Sequence, residues 1–240
     1  MTVIATHKTL TIMRLGRLEY QAAWDWQQRL AAERSAGTRG DTLLLLEHPE
    51  TITLGRKARR EHVLLADAEL ARQGVALVAC DRGGDVTYHA PGQIVGYPIL
   101  KLSRHGGDLG RYLRNLEEVI IRTLADYGLT GERSAGLTGV WVAHAAGPLK
   151  VCAIGVKLSA GGITSHGFAL NVDPLMAGFR RIVPCGISDR GVTSLEQLLG
   201  SAPARAAVEA RVLAHFAEVF DVETVWEAPV SHTRKEIHYG

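Results

Sequence analysis

Lys150-Val-Cys-Ala-Ile-Gly-Val-Lys-Leu-Ser-Ala-Gly-Gly-Ile-Thr-Ser-His-Gly-Phe-Ala-Leu-Asn171 decides the fold class. Two apolar, strand-like runs flank the glycine-bearing turn Ser159-Ala160-Gly161-Gly162, the pattern of a β-hairpin. Short strand-like runs gather on either side of it. Upstream, residues 41–47, 51–54, 75–80, 86–89, 94–100 and 139–143 read as strands, the first as a buried one because it is a short continuous apolar run. Helical patterns are fewer. Residues 20–34 carry Trp24, Trp26, Leu30 and Ala31 near helical spacing and stop at Gly37. Residues 64–74 form a second helical stretch. Residues 108–128 form the strongest, with Leu109, Tyr112, Leu113, Leu116, Val119, Ile120 and Leu124 on one stripe. Thr193-Ser-Leu-Glu196 reads as a capping box opening a short helix, and residues 203–220 form the last one. Strands in runs, without strict βαβ alternation, predict an α/β protein of the α+β type: one domain over residues 1–240, with a mainly antiparallel or mixed sheet flanked by helices.

Composition narrows the function classes. The 240 residues carry 27 basic and 25 acidic side chains, a net charge of +2, far from the balance of a dedicated nucleic-acid binder. Hydrophobic residues at 46% and charged ones at 22% are ordinary globular usage, which argues against disorder. Three cysteines, Cys80, Cys152 and Cys185, make no disulfide framework and no zinc-like cluster, as expected in a reducing compartment. No apolar run approaches bilayer-spanning length and residues 1–20 lack a signal-peptide pattern, so a cytoplasmic protein without membrane or nucleic-acid partners is expected. Nothing suggests a coiled-coil seam, and a monomer is the default.

Four groups of residues are candidates for chemistry. Arg82-Gly83-Gly84-Asp85-Val86-Thr87-Tyr88-His89, followed by Pro91-Gly92-Gln93, reads either as a tight turn or as a backbone that approaches a ligand closely. Cys80 and Cys152 sit in apolar runs and read as small buried hydrophobes. Cys185 stands between Pro184 and Gly186 outside any strand pattern, where a thiol is either a packed small side chain or a nucleophile. Lys150 and Lys157 lie seven positions apart, so an unbroken strand would send them to opposite faces. His166, in His166-Gly-Phe-Ala-Leu-Asn171, reads as a satisfied structural group or a catalyst.

The motifs Arg82-Gly-Gly-Asp-Val-Thr-Tyr-His-Ala-Pro-Gly-Gln93, Lys150-Val-Cys-Ala-Ile-Gly155, His166-Gly-Phe-Ala-Leu-Asn171 and Pro184-Cys-Gly-Ile187 occur in the order found in the lipoyl(octanoyl) transferase family. Glu47-His48-Pro49 and Leu54-Gly55-Arg56 resemble that family's N-terminal motif. Ala90 stands where the family commonly has glycine. The resemblance implies a biotin/lipoate protein ligase-like fold and an acyltransferase. It implies transfer of an octanoyl group from octanoyl-acyl carrier protein to a lysine of lipoyl domains, those of 2-oxoacid dehydrogenase complexes and the glycine cleavage H protein. Cys185 would be the acyl-thioester nucleophile and Lys150, in preference to Lys157, the residue that favours its thiolate. Substrate would be lined by Arg82, Gly83, Gly84, Asp85, Val86, Thr87, Tyr88 and His89, by Ala153, Ile154 and Gly155, and by Gly167, Phe168 and Ala169.

The acyl group would arrive on a phosphopantetheine arm, with no ATP, metal or other cofactor. Thioester exchange is nearly isoenergetic, and the following step from thioester to amide runs downhill. His89 is either a proton relay or a hydrogen-bonded support for the Arg-Gly-Gly loop, and Gly83, Gly84, Gly155 and Gly167 would leave room for the eight-carbon chain. Arg56, Lys57, Arg59 and Arg60 form either a rim for an acidic carrier protein or a solvated loop. The alternatives are a lipoyl amidotransferase, an ATP-dependent lipoate or biotin ligase, a thiol hydrolase using Cys185 with His89 or His166 and Asn171, and a non-enzymatic scaffold.

Overall fold

The chain places its hydrophobic residues on two faces of one large sheet. A computed structural model describes residues 8–145, 147–183 and 191–228. Its elements run β1 (Lys8–Arg17), α1 (Tyr20–Ala36), β2 (Asp41–Glu47), β3 (Thr51–Leu54), α2 (Asp67–Arg72), β4 (Ala76–Ala79), β5 (Val86–His89), β6 (Gln93–Ile99), α3 (Leu109–Ala125), β7 (Gly131–Ser134), β8 (Leu137–Val142), β9 (Leu149–Leu158), β10 (Thr164–Asn171), α4 (Leu195–Leu199), α5 (Arg205–Phe220) and β11 (Val222–Trp226). Eight strands form a sheet in the order β11-β1-β2-β6-β10-β9-β8-β7. β1 is parallel to β11 and β2, and the remaining pairs are antiparallel, so the sheet is mixed as the sequence predicts. A second sheet, β4-β3-β5, stands apart from it and was not expected.

Alternation along the strands divides the core. Leu43 and Leu45 of β2, Ile94 of β6 and Phe168 and Leu170 of β10 pack under α3 and α5. Leu44, Leu46, Val95, Tyr97 and Ala169 point the other way, towards Ala23 and Leu30 of α1. The apolar stripe on α3 is the one read from its spacing, and Asp108 caps the helix by accepting the Arg111 N–H. The small sheet has its own core of Ile52, Val86 and Tyr88 closed by Leu70 of α2.

The face of α1 differs from expectation. Tyr20, Ala23, Gln27, Leu30 and Arg34 are buried, while Trp24 and Trp26 are only half-buried. Two polar residues occupy the inner face because each has an inner partner. Arg34 Nε donates to Asp41 Oδ1 at 2.6 Å, and Gln27 Oε1 accepts the His166 N–H at 2.7 Å. The second helix is shorter than the 64–74 expected, and the capping box is shifted by one: Ser194, not Thr193, caps α4 by accepting from Gln197 N–H. Strands β1, β7 and β11 were not foreseen.

Candidate active site

The hairpin of β9 and β10 forms the floor of a narrow slot, and the loop after β4 forms its roof. The roof rests directly on the floor. The Gly83 N–H donates to the Val156 carbonyl at 2.8 Å. A Cβ on Gly155 would stand 3.0 Å from the Gly83 carbonyl oxygen and 3.2 Å from Arg82 Cδ, so glycine is needed where the two backbones meet. The glycines therefore serve close approach of loop to strand, whereas the sequence suggested room for an acyl chain. Gly167 shows the same purpose underneath, where a Cβ would run into the Gly96 carbonyl and Pro98.

Arg82 holds the loop to the small sheet. It is buried, and its guanidinium donates to the Thr53 carbonyl and hydroxyl, both at 2.8 Å through Nη2, and to the Gly83 carbonyl at 3.1 Å.

The slot is lined by Arg82, Gly83, Gly84, Asp85, Val86, Thr87 and His89 from the roof and by Lys150, Ala153, Ile154, Gly155, Gly167, Phe168 and Ala169 from the floor. These are the residues singled out by sequence, with one correction. Tyr88 does not line it: strand alternation turns its ring to the far side of β5, edge-on to Phe179 at 5.1 Å. Cys185 lies outside the described residues, as do Pro184 and Gly186.

Lys150 is buried at 6% exposure, with its Nζ 4.6 Å from the centre of the Trp141 ring, a cation–π contact. Its neighbours explain how it reaches the slot. Val140 pairs with Cys152 and Trp141 with Lys150, so Val151 is an extra residue in β9. This bulge changes the parity of the strand. Lys150 lines the slot with Ala153 and Gly155, and Lys157 follows at even spacing from them on the same face. The odd separation therefore does not send the two lysines apart, as an unbroken strand would. Lys157 is half-exposed and spends its charge on Asp81, Nζ to Oδ2 at 2.5 Å. Cys152 is fully buried, and burial pushes its thiol well above the ordinary range despite the Lys150 charge.

The closed end is a cluster of rings: Tyr20, His48, His89, Tyr97 and His166. Its hydrogen bonds fix the tautomers. The His48 Nδ1–H donates to the Leu18 carbonyl at 2.7 Å, which leaves Nε2 to accept the Tyr97 O–H at 2.7 Å. Burial pushes His48 down to about 4 despite the Leu18 bond. The same cause, reinforced by His48 and Arg82, holds His89 well below its ordinary range. The His89 Nδ1–H donates to Gln93 Oε1 at 3.2 Å, and Gln93 Nε2 donates on to Asn171 Oδ1 at 2.9 Å. His89 is thus a hydrogen-bonded residue of the slot wall, but its partner is Gln93 and not the Arg-Gly-Gly loop.

His166 is the most constrained of the group. Its φ is 56°, in the left-handed region that a non-glycine residue adopts at a cost. Its Nε2–H donates to Asp81 Oδ1 at 2.7 Å, and Nδ1 faces the Tyr20 hydroxyl at 3.4 Å. Burial lowers its pKa, the Asp81 carboxylate opposing. Burial pushes Asp81 up, but hydrogen bonds from His166 and Lys157 outweigh it and hold the carboxyl below the usual range.

Tyr20 and Tyr97 were not among the sequence candidates. Tyr97 had a visible signal, a tyrosine between Gly96 and Pro98 inside an otherwise apolar run; Tyr20 opens α1 and had none. Ala90, at the family's glycine position, is not among the described residues with positive φ, and its N–H donates to Gln93 Oε1 at 3.2 Å. Among the described residues no group of three or more His, Cys, Asp or Glu could hold a metal ion, and no helix is long and apolar enough to cross a membrane.

A mixed sheet with helices on both faces is the fold this chain shares with solved lipoate ligases. A structure of an archaeal lipoylation system, a bi-partite lipoate protein ligase and its E2 lipoyl domain from Thermoplasma acidophilum, superposes with a TM-score of 0.69 at 14% identity, covering 92% of this chain and 88% of the other. Residues 19–217 match the model of the lipoyl protein ligase A/B catalytic domain, and the chain belongs to that family of enzymes. It is similar to the octanoyltransferase of Chloroflexus aurantiacus, 65% identical over 92% of this chain and 98% of the relative. It is similar also to that of Chloroflexus aggregans, 63% identical over 91% and 98%.

Proposed function

We propose that the chain transfers an octanoyl group from octanoyl-acyl carrier protein to a lysine of lipoyl domains, through a thioester on Cys185. The carrying observation is the 65% identity to an octanoyltransferase along nearly its whole length. The slot supports it. Its wall is carbon-rich and its closed end is made of phenols and histidines held neutral, a suitable environment for an alkyl chain. Burial of such a chain contributes about 0.8 kcal/mol per CH₂, enough to discriminate acyl lengths.

In the first step the Cys185 thiolate attacks the donor carbonyl. A carbon–sulfur bond forms to Cys185, the bond to the pantetheine sulfur breaks, and that sulfur leaves to take up a proton. In the second step the acceptor lysine, as free amine, attacks the Cys185 thioester. An amide forms and the cysteine leaves as thiolate. Lys150, as an ammonium, favours the thiolate in the first step and gives its proton to the departing pantetheine sulfur; as a neutral amine it then takes the acceptor's proton in the second. No ATP, metal or bound cofactor takes part. Acceptors are lipoyl domains of 2-oxoacid dehydrogenase complexes and the glycine cleavage H protein, and the protein acts in the cytoplasm as a monomer.

The test is transfer to an apo lipoyl domain from octanoyl-acyl carrier protein without nucleotide, beside free octanoate with ATP. Octanoylation in the first mixture and none in the second is expected. Modification only with ATP and free acid would overturn the reading in favour of a ligase.

A further inference from the structure

Three cavities meet at Lys150. One is the slot, and one, lined also by Thr87, Gln93, Asn171 and Phe179, is only about 10 Å³ and has no room for a chain. The third is a groove of about 520 Å³ that shares Gly83, Gly84, Asp85, Lys150, Ile154 and Gly155 with the slot. Its walls are Leu109 and Leu113 at the start of α3, Leu137 and Thr138 at the start of β8, and Val156. Lys57 stands at its rim, next to Arg56, and both side chains are exposed. In the cationic run 56–60, Arg59 is paired with Glu61 and Arg60 with Asp67 at 2.5 Å. Among the described residues Arg56 and Lys57 have no carboxylate partner.

We propose that this groove seats the phosphopantetheine arm of the thioester donor, with Lys57 against its phosphate. The inference rests on the transfer reading above and adds the path of the leaving group. A thioester has two limbs on its carbonyl. If the acyl limb fills the slot, whose far end is closed by Tyr20, Tyr97 and His166, the sulfur limb must leave Lys150 by another route. The groove begins at that lysine. Its leucines suit the arm's geminal methyl groups, Thr138 and the loop backbone suit its amides, and a cation at the outer end suits a phosphodiester.

The test compares octanoyl-phosphopantetheine with octanoyl-N-acetylcysteamine, which has the same thioester but lacks the geminal methyls, the outer amide and the phosphate. Acylation of the protein is followed by intact mass, in wild type, Lys57→Glu and Leu137→Trp. Lys57 is exposed, so its variant keeps the fold, and melting temperature checks Leu137→Trp. The ratio of KM for the long donor to KM for the short one should rise about tenfold in each variant, the scale of one lost charge-assisted contact. Removing the phosphate from the long donor should abolish the effect of Lys57→Glu. An unchanged ratio overturns the proposal. So does slowed discharge of preformed octanoyl-enzyme onto an apo lipoyl domain with the donor ratio intact, which would assign the groove to the acceptor. If neither thioester acylates wild type, the transfer reading falls and this one with it.

Discussion

Gly83 and Val156 are joined by a 2.8 Å backbone hydrogen bond, which lays the glycine loop on the strand that carries Lys150. The slot exists because these backbones touch at one edge and part further in. Its width is set by glycine at the crossing, and its lysine is delivered by the bulge at Val151, two residues before Ala153 of the slot floor.

Gly155→Ala tests that contact. The added methyl meets a backbone oxygen at 3.0 Å, which cannot move without lifting the loop. A loss of about 1–3 kcal/mol in stability is expected, together with at least a roughly tenfold fall in kcat/KM. Thermal melts and transfer assays read the two effects; an alanine variant with unaltered kcat/KM would contradict the description of the roof.

Acid should destabilise the slot's closed end. His48 is held neutral down to about pH 4 in the folded chain, whereas an unfolded histidine titrates near 6.5. Between these values the unfolded state binds the extra proton, so stability is fully present above about pH 6.5 and is lost as pH falls towards 4. The loss from His48 amounts to about 3 kcal/mol at most. Melting temperature should fall across this window, and more gently in His48→Gln. A melting temperature that is flat from pH 7 to pH 4 in wild type would count against the buried neutral histidine.

Cys152 should resist alkylation. Its thiol is fully buried and pushed up by burial, so little thiolate forms at pH 8. Iodoacetamide followed by peptide mapping should leave Cys152 unmodified in the folded protein and label it after denaturation. Rapid native labelling there would show that the β9 core opens readily.

Lys150→Arg separates the two tasks assigned to that lysine. A guanidinium keeps the charge but holds its proton. Formation of the octanoyl-enzyme should survive in part, while its discharge onto an apo lipoyl domain should slow by about a hundredfold or more. Equal discharge rates in variant and wild type would remove the proton-accepting role.

Much of the fold was legible where one force dominates. The α3 stripe and the all-buried run of β2 declare themselves by spacing and by apolarity. Strands β1 and β11 did not, because they depend on partners distant in sequence: Lys8 pairs with Val222, and so on along the edge. The inner face of α1 was misread for a related reason. Gln27 and Arg34 look like surface residues until His166 and Asp41 are placed opposite them.

In the site, motif residues close in sequence to a glycine turn were found readily. Tyr88 was wrongly included since one strand of the motif faces both ways. His166 breaks the alternation by its left-handed φ, a feature no pattern of residues announces. The parity of Lys150 and Lys157 failed at a bulge that only the partner strand reveals.

The most direct test of the account is intact-protein mass spectrometry after mixing with octanoyl-acyl carrier protein, without ATP, for wild type and Cys185→Ser. The account predicts a hydroxylamine-sensitive octanoyl adduct on wild type, mapped to Cys185, absent from the variant, and chased off by an apo lipoyl domain. An adduct that persists in Cys185→Ser, or acceptor octanoylation by that variant at the wild-type rate, would contradict it.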